Sequence, residues 1–564
     1  MSELVYLCFR ENRKFDGKDV IKVGENILPD NINPNNTQVL NSVDILAGVY
    51  NPVPSIQTLD TSVCLGNIIK GDWYSNKREK IDGSYAIFRD KKDKIELITD
   101  AVASRTIWYV KKEDVFVAGT SQRAIIHFLR DFKFNEEAMA WMLSSGNLGP
   151  YNSWDERINM VPPDSKLVLD KNGWEIRLEK EKIDFNPKKE KSKEKHKKEY
   201  RDAVEEVFEN YELTENHILP ISGGFDSRCI LLNLLDNKEP AEIDCFTHGY
   251  PQSIQEKGTD PEVAKRLCED LGVNFEFIPL RWSEEPVDKV MERFVLQIEG
   301  RLDHFESKID GIDSLAYLFN KNKTAWLRGD VGFTVQKMLT EYDVERRFGL
   351  SKINQKENLK QYLDIEQSIP KKLERNKDET ISMYRDRIYH QFRIPVILGS
   401  LSENKLGYSE VENPLLSKRI IEKIRELPDS LRDGKKIHKD YIKEKYSEIG
   451  FEDKGAEPRK VLRKPEVVNV LKDTLNSEEL QDVLPEEFLN YVKNNIETTE
   501  ENINEEDNGF KEFLGDILPW WAVKLLSNSP LVKHAVDENR LAFRIYIIWK
   551  MRKQMEKDAE FLNS

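Results

Sequence analysis

The stretch Leu219–Cys229, LPISGGFDSRC, sets two adjacent glycines between an apolar run and apolar residues at helical spacing. A strand that ends in small residues and feeds a helix presents backbone N–H groups and the positive end of the helix dipole, which together favour an anion. Gly223 and Gly224 lack the Cβ atoms that would hold a phosphate off, and Ser222 and Ser227 add hydroxyl donors. Asp226 is the odd member: a carboxylate beside a phosphate makes sense where Mg2+ bridges the two, so Asp226 is the candidate metal ligand. The chemistry predicted here is the grip of a polyphosphate. The loop is neither GxxxxGK[ST], which the chain lacks, nor GxGxxG.

The elements around it read as strands alternating with helices. HILPIS is strand-like, DSRCILLNLLD helical, EIDCFTHG a strand, and NFEFIPL a strand again. Between the last two, DPEVAKRLCEDLG predicts a helix with Asp260 as N-cap, Pro261 at its first position and Gly272 closing it. KTAWLRGD marks a further strand end. Repeated strand–helix units predict an α/β domain with a parallel sheet, in which ligands sit beyond the carboxyl ends of the strands. SGGFDS and RGDVGF both fall at such ends.

The first third differs. VDILAGVY, GSYAIFRD, KIELITD, TIWYVKK, VFVAGTS and SKLVLDKNGWEIRLE are short alternating segments, with NEEAMAWMLSSG at helical spacing among them. They predict an α+β domain built on a mainly antiparallel sheet. The lysine-rich NPKKEKSKEKHKKEY (residues 186–200) reads as a solvated linker or the polar start of a helix. It divides the chain into residues 1–185, a charged linker over 186–200, and residues 201–564.

At 564 residues, 39% apolar and 33% charged, the chain is expected to hold two or three soluble domains. A net charge of -15 argues against a dedicated nucleic-acid partner. The five cysteines form no CxxC pair, so neither a zinc site nor a disulfide framework is legible, and buried thiols in a reducing cytosol are expected. No basic-then-apolar leader opens the chain and no apolar run approaches the ~18 residues of a membrane span, so a cytoplasmic protein without membrane partners is expected. ILPWWAVKLL (517–526) and LAFRIYIIWK (541–550) read as core helices, and the acidic stretch 495–509 as a surface loop between terminal helices.

SGGFDS resembles the SGGxDS pyrophosphate loop of N-type ATP pyrophosphatases, which split ATP between its α and β phosphates. Further stretches, in order, narrow the resemblance to the asparagine synthetase (glutamine-hydrolysing) family, of the asparagine synthetase B and β-lactam synthetase type. DGSYAIFRDKKDKIELITDAVASRTIWYV, VFVAGTSQRAII and INMVPPDSKLVLD are similar to its amidotransferase domain. FTHG, LRGDVGF (where the family has LSGEGSDE), GYSEVENPLLS and GKKIHKDYIKE (where it has a lysine followed by Leu-Arg) are similar to its synthetase domain. The resemblance implies an Ntn-hydrolase-like sheet sandwich followed by an adenine nucleotide α-hydrolase-like domain, and an ATP- and Mg2+-dependent, AMP-forming amide ligase. It assigns Ser222, Gly223, Gly224, Asp226 and Ser227 to pyrophosphate. Thr247, His248 and Gly249 go to adenosine, and Gly329 to close approach of the nucleotide. Asp330 becomes the proton acceptor for the attacking amine, and Lys439, with Lys436 as the alternative register, the stabiliser of developing negative charge.

The pattern breaks in two places. Glutamine-hydrolysing members carry Cys after the initiator Met; this chain has Ser2, and no RGPD or NGE-type segment, so no glutaminase activity is expected. Phe333 stands where the family has the Asp of GSDE, and Arg328 replaces a serine in the same loop, free to pair with a different acid or a phosphate. That puts aspartate as the substrate in doubt; the expected partners are a small-molecule carboxylic acid and an amine or ammonia donor, with a homodimer open as the assembly. A β-lactam-synthetase-like or peptide-cyclising enzyme, a sulfur- or tRNA-modifying pyrophosphatase, and a non-catalytic nucleotide- or partner-binding module are the competing readings.

Overall fold

The computed structural model describes residues 3–75, 77–306, 311–335, 337–452, 460–499 and 534–563. Ser2, the apolar stretch 517–526 and the acidic segment from 500 to 509 lie outside them.

Residues 3–180 form two antiparallel sheets from β1 (Glu3–Phe9), β2 (Gln38–Asn41), β3 (Ile45–Tyr50), β4 (Gln57–Leu59), β5 (Ser62–Lys70), β6 (Asp82–Lys91), β7 (Lys94–Thr99), β8 (Trp108–Lys111), β9 (Val115–Gly119), β10 (Asn159–Met160), β11 (Ser165–Asp170) and β12 (Glu175–Lys180). Their orders are β10-β8-β9-β1-β3-β2 and β12-β11-β7-β6-β5-β4. The two-residue period of a strand explains the layering. In β1, Leu4, Tyr6 and Cys8 pack between the sheets with Leu65 and Phe88. Val5, Leu7 and Phe9 point the other way, into a core shared with the helices Gly17–Ile27, Gln122–Leu129 and Glu538–Phe561. The stretch LAFRIYIIWK lies in the last of these and is mostly buried, as its spacing predicts.

The second half holds a fully parallel sheet: β13 (His217–Pro220), β14 (Asp244–Gly249), β15 (Asn274–Pro279), β16 (Ala325–Leu327) and β17 (Glu410–Glu412), in the order β15-β14-β13-β16-β17. Both faces are covered. Leu219, Cys245 and Leu327 pack into one cluster, while their neighbours Ile218, Phe246 and Trp326 pack into another. The chain reverses its direction of travel across the sheet between β13 and β16, which leaves a crevice at their carboxyl ends.

Of the two readings of the lysine run, the helical one describes its second part. Ser192 caps a helix, Lys193–Glu209, by accepting from Lys195 N–H. Its buried face, including His196, Tyr200, Val204 and Phe208, lies against the parallel-sheet half. Ahead of it, Asn186 and Lys188 donate N–H bonds to the carbonyls of Arg425 and Glu426.

Buried polar contacts join the two halves. Asp82 of β6 accepts from Ser417 Oγ and from the N–H groups of Lys418 and Arg419, capping the helix Lys418–Glu426. Glu299 does the reverse, accepting from Ser121 Oγ and the N–H groups of Gln122 and Arg123. All five cysteines are buried and unbridged. Among the described residues no helix is long and apolar enough to cross a membrane.

Candidate functional site

Two loops meet at the crevice: residues 221–225 between β13 and the helix Asp226–Leu234, and residues 328–335 after β16. Their approach is tight. A Cβ on Gly329 would lie 3.0 Å from Ser227 N and 3.2 Å from the Asp226 carbonyl carbon. Gly329, expected to pass close to a nucleotide, lies close against the neighbouring loop.

Side chains hold the glycine loop in shape. Ser222 and Ser227 bond through their hydroxyls at 2.9 Å, Ser222 N–H donates to Ser227 Oγ at 3.0 Å, and Gly224 N–H to Ser222 Oγ at 3.2 Å. Gly223 N–H donates to Asp260 Oδ1 at 2.6 Å. Asp260 was the expected N-cap of its helix, but Thr259 holds that position and the helix runs Asp260–Leu271. The carboxylate faces the loop instead, and burial pushes its pKa up.

Asp226, at the start of its helix, is the most heavily engaged member. Lys435 Nζ lies 2.5 Å from Oδ2 and His438 Nε2 donates to Oδ1 at 3.1 Å. Burial pushes this carboxyl up, but the hydrogen bond from His438 and the charge of Lys435 outweigh it and hold the pKa down at about 2. His438 is fully buried, and its Nδ1 meets Tyr200 Oη at 2.8 Å. With the Nε2 proton directed to Asp226, Nδ1 accepts from the tyrosine. The Phe333 ring packs 5.9 Å from the His438 ring and 5.8 Å from Tyr200. Phe333, 1% exposed, is thus the apolar floor under the histidine that orients Asp226.

Lys435 reaches Asp226 because Gly434 and Lys435 are both left-handed, with φ of 65° and 59°. For lysine that conformation costs on the order of 1 kcal/mol, and it turns the ammonium back onto the glycine loop ahead of the helix Lys436–Lys445. Lys439, the residue expected to stabilise developing negative charge, lies one turn along, with its ammonium 5.2 Å from the centre of the Phe225 ring. Lys436, the alternative, is exposed.

Asp330 pairs with Arg328 Nε at 2.8 Å, and Arg328 is fixed in turn by Ser402 Oγ at 2.6 Å. Against this loop lies a ten-residue π-helix, Tyr389–Leu398, whose His390 Nε2 bonds to the Gly332 carbonyl at 2.8 Å. The Tyr389 hydroxyl is pushed up by burial and by the charges of Asp330 and Asp226. Nothing in the sequence reading singled it out; π-helical turns gather at functional sites.

Thr247, His248 and Gly249 end β14 beside the glycine loop, with Ile221 N–H donating to Phe246 O at 2.8 Å. Thr247 is buried and His248 exposed. A Cβ on Gly249 would strike Ser253 Oγ and Pro261 Cγ at 2.5 and 2.6 Å, so its missing side chain serves local packing.

The segment Ile449–Glu452 crosses the glycine loop. Arg228, buried, donates to the carbonyls of Ile449 and Gly450 at 2.7 Å and lies 4.1 Å from the Phe451 ring centre. Phe451 stacks on Phe225 at 3.8 Å. Glu452 N–H donates to Gly223 O, and its Oε2 sits 3.1 Å from where a Gly223 Cβ would be. Burial raises the Glu452 carboxyl, and the charges of Asp260 and Asp226 raise it further. The carboxylates of Asp226, Asp260 and Glu452 thus surround the loop together with the cations Lys435, Arg228 and Lys439.

No protein-family model matches the chain, and no curated protein matches it in sequence.

Proposed function

We propose that the chain is an ATP-dependent, AMP- and pyrophosphate-forming amide ligase of the asparagine synthetase type, working without a glutaminase of its own. In this reading residues 3–180 are an Ntn-hydrolase-like sandwich and the parallel-sheet half is the nucleotide-binding unit. A carboxylate oxygen of the acid attacks the α-phosphorus of ATP, the bond to the bridging oxygen breaks, and pyrophosphate leaves. An amine or ammonia then attacks the acyl carbon, AMP leaves with the bonding electrons, and the surplus proton passes to a carboxylate, for which Asp330 is the candidate.

The observation that carries the reading is the convergence of SGGFDS and RGD at the sheet's switch point, with Asp226 held ionised by Lys435 and His438. Asp226 suits Mg2+, which needs one or two carboxylates beside phosphate oxygens, and its side chain is 28% exposed. Magnesium, when bound, supplies positive charge to the departing diphosphate. Lys435 pairs with that diphosphate once another cation neutralises Asp226, and Ser222, Ser227 and the glycine amides hold it in place. His438, buried on Tyr200 and Phe333, keeps Asp226 aimed.

Two observations favour a second reading, a module that binds without turnover: Gly223 N–H is taken by Asp260, and Glu452 lies over the loop. Pyrophosphate release from ATP and Mg2+, with ammonium and a panel of carboxylic acids, separates the two. Acid-dependent release supports the ligase. Nucleotide binding without release under every acid supports the module and refutes the ligase.

A further inference from the structure

A cavity of about 420 Å³ lies apart from the glycine loop, between the helix Glu538–Phe561, the turn Val461–Arg463 and the segment around Lys356. Five cations line it: Lys356, Lys460, Arg463, Arg540 and Arg544. Among the described residues two carboxylates do, Glu306 and Asp537, in a chain whose net charge is -15. The arginines are anchored. Arg544 donates to Asp303 and to the Leu143 carbonyl at 2.7 Å, Arg540 to Glu306 at 2.6 Å, and Arg463 to Asp537 at 2.7 Å. The Lys356 ammonium is half-buried and has no acceptor among the described residues.

We infer that this cavity is a binding site for a small phosphate-bearing anion, with Lys356 as the ligand's central partner and the anchored arginines as its frame. A half-buried ammonium without an acceptor is costly, and an anion removes that cost. The Lys356 ammonium and the guanidinium N–H groups that the carboxylates leave unused suit the oxygens of a phosphate, and guanidinium groups already fixed by carboxylates lose little freedom on binding. The state of Lys356 agrees: burial, with the charges of Arg544 and Arg346, pushes its pKa down to about 8. Neither the ligase nor its alternative requires this site.

The test labels lysines of the whole chain with acetic anhydride at pH 8 and reads each by mass spectrometry, with inorganic phosphate as the probe. Lys356 should acetylate faster than the exposed Lys18. Phosphate at ten times its Kd should slow labelling about tenfold at Lys356 and leave Lys18 unchanged. Arg540→Ala, which keeps Lys356 as a reporter, should need several-fold more phosphate for the same protection, whereas Asp226→Asn should need no more, which separates this cavity from the glycine loop. Labelling of Lys356 that ignores phosphate, or equal protection by sodium chloride at the same ionic strength, overturns the inference.

Discussion

Replacing Asp226 by Asn removes a charge and keeps the shape, so it isolates what the carboxylate does. In the folded chain this group titrates at about 2, against about 3.9 for an unstructured aspartate. At about 1.4 kcal/mol per pH unit, its contacts with His438 and Lys435 stabilise the fold by on the order of 2 kcal/mol at neutral pH. Because the folded pKa is depressed, that contribution is complete above about pH 4 and is lost as the pH falls toward about 2. Asp226→Asn should lower stability in urea at pH 7 by on the order of 2 kcal/mol, and wild type and variant should converge as the pH drops below about 4. Pairing it with Lys435→Met in a double-mutant cycle should return a coupling of about 1–2 kcal/mol, since His438 carries part of the effect. The same variant should release pyrophosphate at least about a hundredfold more slowly, the size expected when one preorganised charge is lost from a transition state. A stability difference that ignores pH would refute the electrostatic account of the loop, and wild-type pyrophosphate release would refute the placement of the nucleotide.

Gly329→Ala places a Cβ 3.0 Å from backbone nitrogen of the facing loop, so it should destabilise by about 1–3 kcal/mol and slow pyrophosphate release; unchanged thermal stability would contradict the close approach. Phe333→Asp, which restores the residue type of the resembled family, should not restore function but cost about 3 kcal/mol or more by burying a charge against His438 and Tyr200, and a fold of undiminished stability would show the position open to water. Glu452→Gln removes a negative charge from the rim of the glycine loop. It should tighten binding of Mg-ATP several-fold and weaken its dependence on magnesium, as measured by calorimetry; no change in either would mean that Glu452 does not face the phosphates.

The strands and helices were legible because their period is written in single residues. Leu219 and Ile218, or Cys245 and Phe246, alternate between two buried faces, and the parallel sheet follows from that apolar continuity. The glycine loop was legible for the same local reason. What escaped the sequence was set by side chains from distant segments. Lys435 rather than Lys439 meets Asp226 because two consecutive left-handed residues redirect the chain, and a lysine at positive φ carries no signature in a lysine-rich run. Asp260 looked like a cap because Pro261 follows it, yet its carboxylate is drawn to a glycine N–H 37 residues earlier in the chain. Arg228, Tyr389 and Glu452 gave no signal, since each matters only through a contact made in three dimensions.

The departures from the resembled pattern also form one physical unit. Phe333 stands where the resembled family has an acid, and an acid there would raise the pKa of Asp226 that Lys435 and His438 hold down. An aromatic ring removes that repulsion and walls His438 from water, which strengthens the histidine's hold on the carboxylate. Arg328, in place of a serine, pairs with Asp330 and with Ser402, so the second carboxylate of the crevice is tied to a cation of its own. Each acid that faces the crevice from these two loops thus has a dedicated positive partner, Lys435 for one and Arg328 for the other. A ligand that is to engage either acid must bring enough positive charge, or expose enough negative charge to the released lysine and arginine, to offset the broken pair. A metal–triphosphate does both at once, and a neutral metabolite does neither.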